Sequence, residues 1–196
     1  MKEFQYHMIS DRHLLKSSLA EVAAEADQEG VDYFQLREKD LSPVELLRMA
    51  QEIRPLLQRT LLIVNGSLDV ALASGADGVH LQRDNIPVSA ARHRYEKLMI
   101  GYSAHTFAEM KEAEQQGADY VFISPIFQPL SKVSTVIPHG PAAVAVWTKF
   151  LKIPVFALGG ISRRNMTRLK ESGCRGVAGV SLFLQDGRFT AAGMVM

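Results

Sequence analysis

The stretch "LLIVNGSLDVALASGADGVHLQRDN", residues 61–85, decides how the chain folds. It passes from one apolar, β-branched run (LLIVN) through a short helix-like segment into a second run (GVHL), and each run ends in polar residues. Gly75 after the helix-like segment suits the left-handed C′ position. The Val-containing run that follows suits a buried strand. The unit is therefore a strand, a helix and a strand.

The same joint recurs along the chain, as "GVDYFQL" from Gly30, "GADGVHL" from Gly75, "GADYVFI" from Gly117 and "GCRGVAGV" from Gly173. Each follows a stretch that reads as helix. Further strand candidates lie between the joints: "FQYHMI" (4–9), "TLLIVN" (60–65), "LMIGY" (98–102) and "PVFAL" (154–158). Helix starts are marked by capping boxes at Ser42-Pro43-Val44-Glu45 and Thr106-Phe107-Ala108-Glu109. Strict alternation demands a parallel sheet covered by helices, and eight units point to a closed (β/α)8 TIM barrel, with an open doubly wound sheet as the alternative. After "GVAGVSLF" only "LQDGRFTAAGMVM" remains, so the last helix is expected to be short or frayed. One domain over residues 1–196 is expected.

Composition narrows the function. The chain has 196 residues, 47% of them apolar, with 22 Lys and Arg against 21 Asp and Glu. Mean hydropathy is near zero. Nothing in this balance asks for nucleic acid or an anionic membrane. No apolar run approaches the roughly 20 residues of a membrane span. The N-terminus lacks a signal-peptide core, and Cys174, the one cysteine, cannot form an internal disulfide. A cytoplasmic location is expected. Cys174, in its glycine-flanked turn, reads as a small structural residue.

Ligands of such a barrel lie at the C-terminal ends of the strands. Strand two ends "QLREKD", and alternation puts Gln35, Arg37 and Lys39 on one side if the strand stays extended. The alternative makes Arg37 and Glu38 salt-bridge partners on the rim. Strand three ends at Asn65, strand four at His80 and Gln82, and strand five at Tyr102, Ser103 and His105. His80 and His105 are each as readily hydrogen-bonded structural residues as functional ones. The loops after strands seven and eight carry Gly159-Gly160 and Gly179-Val180-Ser181. Glycine lets backbone N–H groups approach an anion, and these two loops are the usual phosphate grip of the fold, so a phosphorylated ligand follows. The long connection at residues 124–141 reads as a lid over a charged ligand, carrying Ser131, Lys132 and His139.

Several of these segments are familiar together. "ISDRHLL", "QLREKD", "IVNGSLDVALASGADGVHL", "GYSAHT", "QQGADYVFISPIF", "LSK", "FALGGIS" and "GVAGVS", in this order, resemble the thiamin-phosphate synthase and TenI (thiazole tautomerase) superfamily over nearly the whole chain. The resemblance implies a (β/α)8 barrel acting in thiamin biosynthesis on a phosphorylated thiazole. It sets Gly160, Val180 and Ser181 at the thiazole phosphate, and Gln35, Arg37, Lys39, Asn65, Ser103, Ser131 and Lys132 around the partner or lid side. In the synthase branch, an Asp after the strand-three Asn and another after strand four hold magnesium for a pyrophosphate leaving group. The matching positions here are Gly66 and Asn85, with Asp84 nearby.

Asn-Gly at this point resembles the TenI branch, whose proton shift needs no metal. The expectation is a TenI-like tautomerase with no metal and no cofactor. Its base would be His105 or His139, because Pro125 stands where that branch has a histidine. Two other readings stay open. One is a thiamin-phosphate synthase with an altered magnesium site; the other is a regulatory barrel that binds a thiazole phosphate without turnover. The expected partner is a small phosphorylated thiazole, with no nucleic acid and no membrane. A homodimer is consistent with barrels of this type, and the sequence leaves the oligomeric state open.

Overall fold

The computed structural model describes residues 4–128 and 137–194. Eight parallel strands close into a barrel in chain order: β1 Gln5–Ile9, β2 Tyr33–Leu36, β3 Leu61–Asn65, β4 Gly78–Leu81, β5 Met99–Ala104, β6 Tyr120–Ile123, β7 Val155–Leu158 and β8 Gly176–Gly179. The closing pair is β1 with β8, with His7 opposite Ala178. Outside lie α1 Leu19–Glu29, α2 Pro43–Ile53, α3 Leu68–Ser74, α4 Val88–Arg94, α5 Phe107–Gln115, α6 Gly140–Trp147 and α7 Arg163–Lys170. Among the described residues no helix is long and apolar enough to cross a membrane.

The helices start where their caps dictate. Ser42 and Thr106 accept from the N–H groups of Glu45 and Glu109, whose carboxylates reach back to the cap N–H groups. Ser18 and Glu21 build a third such box on α1. Alternation along the strands then sorts the apolar residues into two cores. Phe34, Leu62, Val64, Val79, Ile100 and Val121 face the helices. Ile9, Tyr120, Phe122, Phe156 and Ala178 fill the barrel. Gly101 belongs to this inner layer because the Tyr120 ring occupies its space: a Cβ there would lie 2.1 Å from Tyr120 Cζ.

The recurring Gly-x-Asp joint has a physical purpose. Gly30 and Gly75 end α1 and α3 in the left-handed conformation. Two residues on, Asp32 Oδ2 accepts from Tyr6 N–H at 2.9 Å and Asp77 Oδ2 from Leu62 N–H at 2.8 Å. Asp119 Oδ2 likewise accepts from Ile100 N–H at 2.7 Å. Each carboxylate sits just before an even-numbered strand and ties the start of the odd-numbered strand beside it. In the fourth joint Arg175 takes the place of Asp. The backbone there makes the ties, from Gln5 N–H to Arg175 C=O and from Arg175 N–H to Val155 C=O.

The end of the chain departs from the expectation of a frayed helix. After β8 come a 3-10 turn, Ser181–Phe183, a small antiparallel hairpin of β9 Leu184–Gln185 with β10 Arg188–Phe189, and a second 3-10 turn, Ala191–Gly193. Asp186 and Gly187 both have positive φ (51° and 76°), the geometry for which an Asp-Gly turn is suited. Gly187 C=O accepts from Lys16 N–H at 2.7 Å, so the hairpin packs on the loop after β1.

Replacing Asp77 with Ala leaves the Leu62 N–H without its charged acceptor. It should cost about 1–3 kcal/mol in urea-induced unfolding. An unchanged midpoint would show that the joint carboxylate contributes nothing to the barrel.

Candidate active site

The loops after β1 and β2 are locked to each other. Glu38, almost fully buried, accepts from Ser10 Oγ at 2.5 Å, from Arg12 N–H at 3.2 and 3.1 Å, and from Arg12 Nη1 at 3.2 Å. The Arg12 guanidinium also forks onto Asp40 at 2.6 and 2.5 Å, holding that carboxyl well below the ordinary carboxylate range. Arg37 N–H in turn donates to Ser10 Oγ at 2.9 Å. The rim pairing of Arg37 with Glu38 is therefore corrected: Arg12, from a distant loop, takes Glu38. Among the described residues no carboxylate pairs with Arg37. The strand ends at Leu36, so the extended run needed to carry Lys39 alongside Gln35 and Arg37 stops short. Lys39 stands exposed in the turn that follows.

At the ends of β2, β3 and β4 lies a row of carboxamides. Gln35 is buried, and its Nε2 is 3.5 Å from Asn65 Oδ1. Gln82 Nε2 donates to the same oxygen at 2.9 Å. Gln82 N–H donates to Asn85 Oδ1 at 2.8 Å, which fixes the orientation of that amide. Gly66 follows Asn65 with φ +74, and a Cβ there would lie 3.3 Å from Asn85 Nδ2.

Below this row the barrel holds two buried histidines. His80 Nε2 is 2.8 Å from Ser103 Oγ and its Nδ1 is 3.2 Å from Tyr120 Oη. Burial, aided by the charge of Arg37, lowers the His80 pKa to about 3. A neutral imidazole has one donor and one acceptor nitrogen, so Ser103 and Tyr120 take opposite roles on it. His7 lies deeper, stacked on Tyr33 with its edge toward Phe122, and neither ring nitrogen has a partner among the described residues. Burial, and the neighbouring His80, push its pKa well below the ordinary value.

The two glycine-bearing loops lie at the same barrel end. Gly160 has φ +63, and a Cβ would fall 2.3 Å from Gln128 C=O, so only glycine fits. Among the described residues the Gly160 and Ser181 N–H groups donate to no protein carbonyl. Asn165, which the sequence reading missed, steadies this loop: Nδ2 donates to Gly160 C=O at 2.9 Å and Oδ1 accepts from Ser162 N–H at 2.8 Å. Its signal was the Ser162-x-x-Asn165 spacing, a capping box written with Asn. Gly159, with φ +93, presents its C=O to Phe127 N–H, and Val180 precedes the 3-10 turn.

The remaining residues separate. His105 is exposed, with Nδ1 2.9 Å from Ser124 C=O. His139 packs edge-on against Trp147, with its Nε2 buried and unpartnered among the described residues. Ser131 and Lys132 lie outside the described residues. The described ends of the 124–141 connection are pinned by Ile126 N–H on Leu158 C=O and His139 N–H on Pro125 C=O. Among the described residues no three His, Cys, Asp or Glu side chains gather as metal ligands. Gly66 has no side chain, and the Asn85 oxygen is already taken, so the residues present do not fit a protein-held magnesium.

The family described as Thiamine monophosphate synthase matches residues 6–183. A putative thiamine-phosphate synthase 2 of Aquifex aeolicus is 36% identical, with 91% of this chain and 97% of that protein covered. A thiamine-phosphate synthase of Syntrophomonas wolfei is also 36% identical, over 93% and 89%. Among solved structures, thiamine phosphate pyrophosphorylase from Pyrococcus furiosus superposes with a TM-score of 0.83 at 30% identity, covering 95% of this chain and 91% of that one. The chain belongs to the thiamine monophosphate synthase family.

These relatives overturn the expectation of a TenI-like tautomerase, because proteins alike over nine tenths of the chain carry the synthase name. That expectation rested on Gly66 and Asn85, two positions that bear on a metal and say little about the rest of the pocket. Pro125 at the end of β6, whose ring nitrogen carries no proton, also leaves a proton shift without its expected base.

The buried histidines predict a pH dependence. A group whose folded pKa is lowered takes up its proton more readily when unfolded. His7 and His80 therefore add stability that is full above 6.5 and is lost as pH falls from there toward about 3. Denaturant midpoints measured across this range should fall, and His80→Gln should flatten the slope. Identical slopes in the two proteins would rule out His80 as a source.

Proposed function

We propose that this member of the thiamine monophosphate synthase family is itself a thiamine-phosphate synthase, a transferase that joins a pyrimidine carried as its diphosphate ester to a thiazole phosphate. The observation that carries the reading is the presence of two unlike anion grips at one end of the barrel. One consists of the backbone N–H groups of Gly160 and Ser181. The other is the Arg37 guanidinium, which no carboxylate among the described residues neutralises, with Lys39 beside it on the rim. A coupling reaction between two phosphorylated substrates needs a grip for each.

In this proposal the first grip, with Gly159 and Val180 shaping the loops, takes the thiazole phosphate. Arg37 and Lys39, joined by Ser131 and Lys132 from the 124–141 connection, take the diphosphate. Gln35, Asn65 and Ser103 line the neutral space between, where an aminopyrimidine ring finds amide and hydroxyl partners. The bond from the pyrimidine methylene carbon to the diphosphate oxygen breaks with its electron pair leaving on pyrophosphate. The thiazole nitrogen lone pair forms the new C–N bond. The chain's own part is to align the two partners, exclude water and answer the charge that develops on the departing oxygen with N–H donors and fixed cations.

The neutral His80 holds Ser103 by one ring nitrogen and Tyr120 by the other, so the hydroxyl is oriented before a ligand arrives. Purified protein given both substrates should form thiamine phosphate, read by thiochrome fluorescence. Arg37→Ala should lower turnover about a hundredfold and Ser103→Ala about tenfold. Absence of product while both ligands demonstrably bind would replace the synthase with a non-catalytic binding barrel.

A further inference from the structure

We infer that the wall formed by Asn65, Gly66 and Asn85 is an anion subsite that takes an oxygen of the diphosphate directly on amide N–H groups, with no divalent cation held by the protein. The inference rests on the reading that this pocket accepts a diphosphate ester, and it changes what meets that ester.

The argument lies in the direction of the carboxamides. A magnesium ion needs oxygen lone pairs, preferably anionic ones. The Asn85 oxygen is engaged by the backbone N–H of Gln82 at 2.8 Å. A backbone nitrogen can only donate, so the orientation of the amide is fixed and its NH2 end is the free one. Among the described residues Nδ2 donates to no protein acceptor, and it looks onto the space over Gly66, 3.3 Å from where a Cβ would stand. The Asn65 oxygen is likewise taken, by Gln82 Nε2 at 2.9 Å and more weakly by Gln35 Nε2 at 3.5 Å. Both asparagines therefore have their oxygens engaged and oriented by the protein and, among the described residues, their donors left over. Gln82 sets both, through its backbone and its side chain.

The sign of the wall is thus positive in its partial charges, and a cation placed there would meet N–H dipoles pointing at it. Gly66 adds to this by having no side chain, which leaves room for a ligand oxygen against the amide. Asp84, the carboxylate one residue from Asn85, is exposed on the turn and has no partner carboxylate with which to build a cage, since no metal-binding group is found among the described residues. A phosphate oxygen fits what the wall offers, and Arg37 on the neighbouring loop supplies the full charge.

The test is a calorimetric titration of inorganic pyrophosphate into the full chain, once in EDTA and once in excess magnesium, with manganese paramagnetic resonance as a separate measure of divalent-ion binding. Pyrophosphate should bind in EDTA at least as tightly as in magnesium, and the manganese signal should be unaffected by the protein. Asn85→Asp, which replaces the free donor by an acceptor, should weaken binding in EDTA by about tenfold. Asn85→Ala should weaken it less. Gly66→Asp combined with Asn85→Asp should begin to bind manganese, and aspartate is among the side chains that tolerate the positive φ at Gly66. Melting temperatures of the variants separate lost binding from lost folding. Pyrophosphate binding that appears only with magnesium, no binding in either buffer, or manganese held by the unmodified chain and released by Asn85→Ala would each overturn the inference. Product formation is not read in these titrations, so a protein that binds pyrophosphate without metal yet makes no thiamine phosphate would sink the synthase reading alone.

Discussion

The barrel depends on three carboxylates that each hold a neighbouring strand by a backbone N–H at its start. Asp32, Asp77 and Asp119 stand two residues after a helix-ending glycine or its equivalent turn and bond to Tyr6, Leu62 and Ile100. A strand shifted by one residue would turn its inward side chains outward, so a charged tie at the start of each pair fixes which residues reach the interior. The tie costs desolvation of the carboxylate and gains a charge-assisted bond to a backbone amide at the barrel floor. With the floor fixed, the far ends of the strands arrive at one level. There Gln35, Asn65, His80 and Ser103 come together, although up to 68 positions separate them in the chain.

What the interior tolerates follows from that register. The inner layer is aromatic: Tyr33 stacks on His7, Phe122 and Phe156 meet it edge-on, and Phe156 is also edge-on to Tyr33 and Tyr120. Such a packing keeps both histidines neutral, since a charged imidazole buried there would have no compensating carboxylate among the described residues. The pocket floor thus carries no charge of its own. Among the described residues, the cations of the proposed diphosphate grip stand on the rim, at Arg37 and Lys39. The Arg12 fork on Glu38 and Asp40 leaves those two available by occupying the acids between and beside them.

Most of the fold was legible because its punctuation is local. Helix-ending glycines, capping boxes and β-branched runs each act over a few residues, so all eight strands and the closure can be read from the chain itself. The hairpin at Leu184–Phe189 was missed although Asp186-Gly187 announces it, because the few residues left after the last strand read only as a helix cut short. The site was less legible. Gln35, Asn65 and Ser103 follow from strand ends, but Lys39 was placed by an alternation that stops at Leu36. Arg12 was invisible as the partner of Glu38 because the pair is 26 residues apart in sequence and meets only through the pairing of β1 with β2. The direction in which an asparagine amide points is set by its neighbours' hydrogen bonds, and residue identity does not encode it.

The Asn-Gly and Asp-Asn pairs in residues 61–85 therefore carry less than they promise about which reaction is run and more about how charge is met. Losing two carboxylates removes a cation site, and the same loss in isolation would leave a pyrophosphate group facing bare backbone. Here Gln82 donates to the oxygens of both carboxamides and leaves their N–H groups over, so the wall is positive in its partial charges. A family resemblance judged by the missing acids alone reads their loss as a change of reaction. The likeness across the whole barrel to synthases argues that the chemistry can stay while the means of stabilising the departing charge changes, because a leaving oxyanion needs preorganised positive potential and does not require that a metal supply it.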